Sequence, residues 1–387
     1  MYICVLALVL TLTGFSYLKK EYAASIYVVT LCLLTLFLAL RFGQGSDYWG
    51  YRNLFERMPA VFDFNADVYN TDKFHGEIGW KLMMNLFKYL GMNFETVIVL
   101  LAFAEMSLIA WALERYCGEH KMLGLLILFP TVYLTYFFST LRQGFVIPIN
   151  LSVLLPLLQK KRYIPYAAVT LLLCLIHRSS LLLLLPLLLI KMSRRTFHAL
   201  LAASGLGGVL LCVTPAWDHI HQFVCYIYPA LGDEMVVEIN FLALGERFAT
   251  GGLIFLLFYF LCRDGAVSDE VEILYKTYML ANMFYFILMG SQTLAGRFSM
   301  IFKCVEVILL PMLLGMYMER RPMRAGRTGI CVYAYCLMLA SALTLYHLGF
   351  CSEEGNYYEY HNAFEYPYIS IFQKDRVYEL FDTEYFD

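Results

Sequence analysis

The residues best placed for chemistry are arginines in short polar breaks between long apolar runs. Three breaks read Ser139-Thr140-Leu141-Arg142-Gln143, His177-Arg178-Ser179-Ser180 and Thr293-Leu294-Ala295-Gly296-Arg297. A fourth, Arg41-Phe42-Gly43-Gln44-Gly45-Ser46-Asp47-Tyr48, opens a longer polar segment. Arg142 and His177 are 35 residues apart, and the hairpin between them turns at Lys160-Lys161-Arg162. Both therefore return to one membrane depth. Arg41, Arg297 and Arg247 reach it by the same parity. A guanidinium is a planar fork that binds two phosphate oxygens at once, so several at one level make a pocket for phosphate or pyrophosphate. One arginine at a helix end can equally snorkel to the headgroups. Several, in loops of a few residues beside Gln143, His177 and Ser179, argue for the pocket, because a charge at this depth usually faces a cavity or a partner.

His177 reads as a general base or a phosphate donor, or as a satisfied polar residue at a helix end. Arg178 beside it would disfavour the imidazolium and leave a neutral ring able to accept a proton. Asp47 reads as a second base, as a group orienting a sugar hydroxyl, or as an Asx turn after Gly43 and Gly45. Glu105 and Glu306 sit inside apolar runs, where a proton-coupled transporter would use them; Ser107 and Lys303 offer nearby partners. His219 and His221, beside Asp218, point to different faces of a helix, so no metal site is expected. The 11 cysteines contain no C-x-x-C pair and give no disulfide framework.

The elements that must position these residues are membrane spans. Of the 387 residues 60% are hydrophobic and 16% charged, and the mean hydropathy is +0.62. That excludes a disordered chain, a small disulfide scaffold and an ordinary soluble enzyme. With a net charge of −2, a nucleic acid partner has no electrostatic support. The 30 Tyr suit the lipid–water boundary. Apolar stretches of span length occur at 2–18, 22–40, 94–113, 122–138, 143–159, 163–178, 179–191, 197–214, 250–262, 274–291, 299–318 and 329–348. The fold class expected is all-α, a polytopic integral membrane protein of about twelve transmembrane helices in one domain. Every second loop is basic, at Lys19-Lys20, Arg115 to Lys121, Lys160 to Arg162, Lys191 to Arg195, Arg263 to Lys276, and Arg320 to Arg327. The positive-inside rule puts these in the cytoplasm and both termini outside. Long outer segments then span 41–93, 215–249 and 349–387. The first carries an amphipathic helix from Gly76 to Leu90, its apolar residues Ile78, Leu82, Met83, Leu86, Phe87 and Leu90 at three-to-four spacing lying on the membrane as a lid or wall of the site. The second holds Trp217, Tyr226, Tyr228 and Phe241; the third is rich in Tyr and acidic residues.

These motifs resemble the Wzy-like, EpsG-type family of bacterial polysaccharide polymerases. The resemblance rests on Arg41-Phe42-Gly43-x-Gly45-x-Asp47-Tyr48-x-x-Tyr51 and on Leu141-Arg142-Gln143-Gly144-Phe145. Ile176-His177-x-Ser179, Gly296-Arg297-x-x-x-x-Phe302 and Pro367-Tyr368 complete it. Gly144-Phe145-Val146 departs from it, since small residues such as Ala are usual after Arg-Gln. The resemblance implies a GT-C-like glycosyltransferase of the bacterial inner membrane, making exopolysaccharide, capsule or O-antigen. Polyprenyl-pyrophosphate-linked oligosaccharides would be donor and acceptor, and no metal or other cofactor is implied. A chain-length regulator and a flippase of the same pathway are implied partners beside the bilayer. Arg142, His177, Arg297 and Asp47 are then the expected catalytic residues. Arg41, Gln143, Arg178, Tyr48, Ser179 and Arg247 are the expected substrate-binding ones. A lipid-linked oligosaccharide flippase or other transporter, and an O-antigen ligase or acyltransferase, are the alternatives. A flippase needs charges spread through the midplane, whereas the unexplained charges here sit at the outer ends.

Overall fold

A computed structural model describes residues 1–45, 47–62, 76–227, 237, 239–265, 267–350 and 368–376. The described residues are almost all helical, and among them only an isolated bridge between Arg41 and Ser370 has β pairing. The chain begins with α1 (Tyr2–Leu18) and α2 (Ala23–Ala39), then two short helices, α3 (Tyr48–Arg57) and α4 (Ile78–Tyr89). There follow α5 (Phe94–Tyr116), α6 (Lys121–Leu128), α7 (Leu141–Ile149), α8 (Leu155–Gln159), α9 (Tyr163–Cys174), α10 (Leu185–Leu189) and α11 (Arg194–Cys212). After α12 (Ala216–Ile227) come α13 (Phe241–Arg263), α14 (Asp269–Leu288), α15 (Gln292–Lys303), α16 (Glu306–Arg320) and α17 (Pro322–Phe350). Polar side chains start several of them: Asn93, Ser193, Asn240, Ser268 and Ser291 each accept a hydrogen bond from the backbone N–H three residues on.

Each apolar stretch expected from the sequence falls on helix. Seven helical stretches are long and apolar enough to cross a bilayer, or eight if the bent pair α15–α16 is one span. That pair departs from a straight 299–318 span: it bends by 48° between Lys303 and Glu306. The Thr293–Arg297 break is likewise helical, forming the first turns of α15. Two stretches widen to π-helix, Phe129–Phe137 and Asn150–Leu154; the first continues α6 and contains Pro130, which has no N–H for the α-helical ladder.

The six basic loops meet at one end of the bundle. Lys20 pairs with Glu119 at 3.1 Å, Lys161 with Asp269 at 3.2 Å, Arg194 with Glu272 at 2.6 Å and Arg321 with Asp264 at 2.6 Å. Tyr116 donates to Gln159 at 2.6 Å and Gln159 to the Glu270 carbonyl at 3.2 Å, joining the two halves of this belt. The Arg142, His177 and Arg297 breaks lie at the opposite end, since α7–α8 and α9 run between the two. The N-terminus lies there too, with Tyr2 donating to Gln44 at 3.3 Å.

α4 begins the site wall. It buries Trp80, Lys81, Met84 and Asn85 against the protein, while Ile78, Leu86 and Leu90 are exposed. Of the apolar row, Ile78, Leu86 and Leu90 thus face outward, while Met83 and Phe87 pack against the core cluster of Trp80 and Phe94. Glycine permits two close approaches nearby. Gly45 has φ +104°, and a Cβ there would lie 2.0 Å from the Phe138 carbonyl oxygen. A Cβ on Gly144 would lie 2.7 Å from the Tyr136 carbonyl oxygen, so the family departure at this position is a packing requirement of α7.

Candidate functional site

The site is built on three chain segments far apart in sequence. Arg142, in the first turn of α7, donates from Nε to the Tyr51 hydroxyl of α3 at 3.2 Å and from Nη1 to the Glu77 carboxylate. The same carboxylate accepts the Arg178 backbone N–H at 2.8 Å, and its Oε1 lies 4.0 Å from His177 Nδ1. Glu77 is held in place by the start of α4, whose Gly79 and Trp80 N–H groups donate to the Leu175 carbonyl at 2.8 and 3.3 Å. A Cβ on Gly79 would lie 2.7 Å from that oxygen, so only glycine allows α4 this close.

The electrostatics follow from burial and from this pairing. Burial alone would raise the Glu77 carboxyl pKa; Arg142 and the Arg178 N–H more than offset it and hold it below the usual range. Burial pushes the His177 imidazole down to about 4; Glu77 opposes this, while Arg142 and Arg297 add to it. That direction favours the neutral ring, but its causes are burial, Arg142 and Arg297 rather than Arg178, whose side chain is exposed and whose backbone N–H bonds Glu77. Burial also raises the Tyr51 hydroxyl, with Arg142 opposing and Asp47, at the head of α3, adding. Among the described residues His177 Nδ1, Ser179 Oγ and Ser180 Oγ are buried without a hydrogen-bond partner. A ligand can satisfy these atoms, since leaving them unpaired costs about 1–3 kcal/mol each.

The other expected residues divide. Gln143 donates to the Arg297 carbonyl at 3.4 Å, which brings α7 against the start of α15. Arg297 itself is exposed, and Gly296 before it lines a cavity of about 370 Å³ together with Arg247, Glu246, Lys303, Tyr136 and Tyr285. Arg247 thus lines a chamber whose walls do not include Arg142, Glu77 or His177. Arg41 and Tyr48 do not join the site. The Arg41 guanidinium, 2% exposed, donates to the Leu38 and Phe137 carbonyls at 2.7 Å each and sits 5.0 Å over the Phe138 ring. Through Nη1 and Nη2 it clamps the end of α2 to the turn after Phe137, while its Nε has no hydrogen-bond partner among the described residues. Tyr48 is buried edge-on between Phe42 and Phe94 as a core aromatic, its hydroxyl without a hydrogen-bond partner among the described residues. Glu306 lies 3.6 Å from Lys303, which is also 3.0 Å from Glu246. Asp218 and His219 are exposed on α12, and no cluster of three or more metal-binding side chains occurs among the described residues. Tyr228, Tyr366 and Pro367 lie outside the described residues, as does the His221 side chain.

Sequence reasoning missed Glu77 and the role of Tyr51. Tyr51 was visible as the last member of the Arg41–Tyr51 motif. Glu77 stands one residue before the amphipathic row of α4, the one signal that pointed to it.

An all-helical membrane protein whose buried polar cluster gathers at one end of the bundle is the class defined so far. The EpsG family model matches residues 24–362, and the chain belongs to that family of Wzy-like polysaccharide polymerases. No curated protein and no solved structure gives a significant match.

Proposed function

We propose that this polymerase joins polyprenyl-pyrophosphate-linked oligosaccharide repeat units at the outer face of the bacterial inner membrane, crossing it about twelve times in a GT-C-like arrangement. The basic belt is then cytoplasmic, and the Arg142 end and both termini are outside. The observation that carries the reading is Arg142 held by Glu77, beside a neutral His177 and two unpartnered serine hydroxyls.

Glu77 occupies the anion position of the Arg142 fork. A pyrophosphate carries more charge and more oxygens, so it takes over the guanidinium and leaves Glu77 beside His177. The acceptor hydroxyl gives its proton to neutral His177 as its oxygen attacks the anomeric carbon. The bond from that carbon to the phosphate oxygen breaks, and the lipid pyrophosphate leaves. Arg142 and Arg297 stabilise the charge that develops on it; losing one such donor typically costs about 3–4 kcal/mol. The bound anion offsets the two arginines and raises the His177 pKa, while Glu77 steadies the imidazolium. Tyr51 orients the fork, Asp47 orients a sugar hydroxyl, and Gln143 fixes Arg297.

The test is purified protein with a defined lipid-linked repeat unit. Products forming a ladder of lengths support the reading. A single transfer would mark a ligase, and translocation without a new glycosidic bond a flippase. His177→Gln should abolish turnover while donor binding persists.

A further inference from the structure

The chamber beside α15 contains an arginine that its own surroundings do not satisfy. Arg247 is 5% exposed. Its Nη2 donates to Ser299 at 2.9 Å, while Nε and Nη1 have no hydrogen-bond partner among the described residues. The nearest carboxylate, Glu246, is engaged elsewhere: Oε2 takes Lys303 at 3.0 Å, Oε1 accepts Thr250 at 3.1 Å, and Arg247 Nε stays 3.7 Å away. One face of the guanidinium lies 4.9 Å from the Tyr285 ring centroid. Arg247 therefore presents two buried donors to a cavity of about 370 Å³ that is also lined by the hydroxyl residues Thr131, Thr135 and Tyr136.

Charge decides what kind of anion fits. Arg247 and Lys303 are balanced locally by Glu246 and Glu306. Of the charged side chains lining the chamber, Arg247 and Lys303 are positive and Glu246 is negative, so a multiply charged pyrophosphate would exceed the one net positive charge of the wall and be repelled by Glu246. A single carboxylate can take the unpartnered Nη1 without displacing Ser299 from Nη2. The remaining space and the hydroxyl lining suit the ring of a sugar. Gly296 lines the chamber while the Arg297 carbonyl is bonded to Gln143, next to Arg142. Adjacent residues of α15 thus face the chamber and bond Gln143, which sets the chamber next to the Arg142 site.

Resting on the proposed polymerase reading, we infer that this chamber is a sugar subsite selecting a carboxylated, uronate-type residue of the repeat unit. The probe is free glucuronate, with glucose and inorganic pyrophosphate as comparisons, and binding is read by saturation-transfer NMR on the full chain in nanodiscs. Glucuronate should bind and glucose should not. Arg247→Gln should weaken glucuronate by about tenfold, the loss of one charge-assisted pair. Arg247→Lys keeps the buried charge and so the fold, and it should lose most of the same binding because the fork is gone. Arg142→Ala should leave glucuronate binding intact, which separates this inference from the failure of the Arg142 site itself. Equal binding of glucose and glucuronate overturns the inference, as does glucuronate binding unchanged in both Arg247 variants. Displacement of glucuronate by pyrophosphate in the Arg142→Ala protein also overturns it, because the chamber would then be a second phosphate site.

Discussion

Arg41 and Arg142 stand at the same end of the bundle, each at the end of a helix, and in sequence they look alike. Their surroundings differ. Arg41 donates to two main-chain carbonyls under an aromatic ring, and the adjoining Phe42 N–H and Leu40 carbonyl are tied to Ile369 and Ile371. None of those partners can move without unfolding the corner. Arg142 instead bonds a side-chain carboxylate and a phenol. Its partners can exchange for a ligand. The difference teaches that an arginine bonded to backbone belongs to the fold, and one bonded to an exchangeable carboxylate belongs to the chemistry.

The comparison breaks first at Arg41. Arg41→Ala leaves the Leu38 and Phe137 carbonyls without a donor and should cost about 3 kcal/mol or more. Abundance and melting temperature of the purified protein should collapse, while the surviving fraction keeps its specific activity. Wild-type abundance with lost activity would move Arg41 into the site. Glu77→Gln comes next. It keeps the shape but removes the charge that opposes the depression of His177 and pairs with Arg142, so it should reduce kcat at least tenfold and also lower the melting temperature. Fluorescence-detected melting together with single-turnover rates checks both halves.

A smaller, more diagnostic effect is pH. His177 sits near pKa 4 when folded, below its ordinary 6.5. Between those values the unfolded state binds more protons, so stability falls as pH drops from about 6.5 through 4 and is unaffected by this group above 6.5. The depressed Glu77 carboxyl acts in the same direction, its stabilisation being lost as pH falls. The acid limb of kcat/KM, which reports the free enzyme, should therefore lie near 4, and the limb of kcat should lie higher because bound pyrophosphate offsets the arginines. A kcat/KM limb at 6.5 would mean an exposed, ordinary histidine. Smallest of all are the exposed pairs of the basic belt. Lys20→Ala and Lys161→Ala should each shift stability by less than about 0.5 kcal/mol and leave turnover unchanged, as measured by the same melting and ladder assays.

Much of this was legible in the sequence, for physical reasons that also set its limits. Arg142, His177 and Arg297 were visible because a charge between apolar runs is costly and needs a cause. Parity placed them at one end, and the hairpin through Lys160–Arg162 put Arg142 level with His177. Arg41 passed the same test and yet is structural, because what separates it from Arg142 is a carbonyl 96 residues away in sequence. Glu77 carried no periodic signal, and its partners come from α7 and from the loop after α9. The bend at Lys303–Glu306 has no proline or glycine at the break. It coincides with the buried Lys303 pairs to Glu246 and Glu306, which join three positions on α13, α15 and α16. Pro311, the residue that would have marked a kink, lies inside α16 instead.

The central claim is that the Arg142 fork stabilises the departing pyrophosphate. Its most direct test is the polymerisation rate of correctly inserted, normally abundant Arg142→Ala and Arg142→Lys proteins on a defined lipid-linked repeat unit. The account predicts a loss of roughly a hundred- to thousandfold for alanine. It predicts a clear impairment for lysine as well, which keeps the charge but not the fork. Full-length polymer made at the wild-type rate by Arg142→Ala would contradict it and leave Arg142 a membrane anchor.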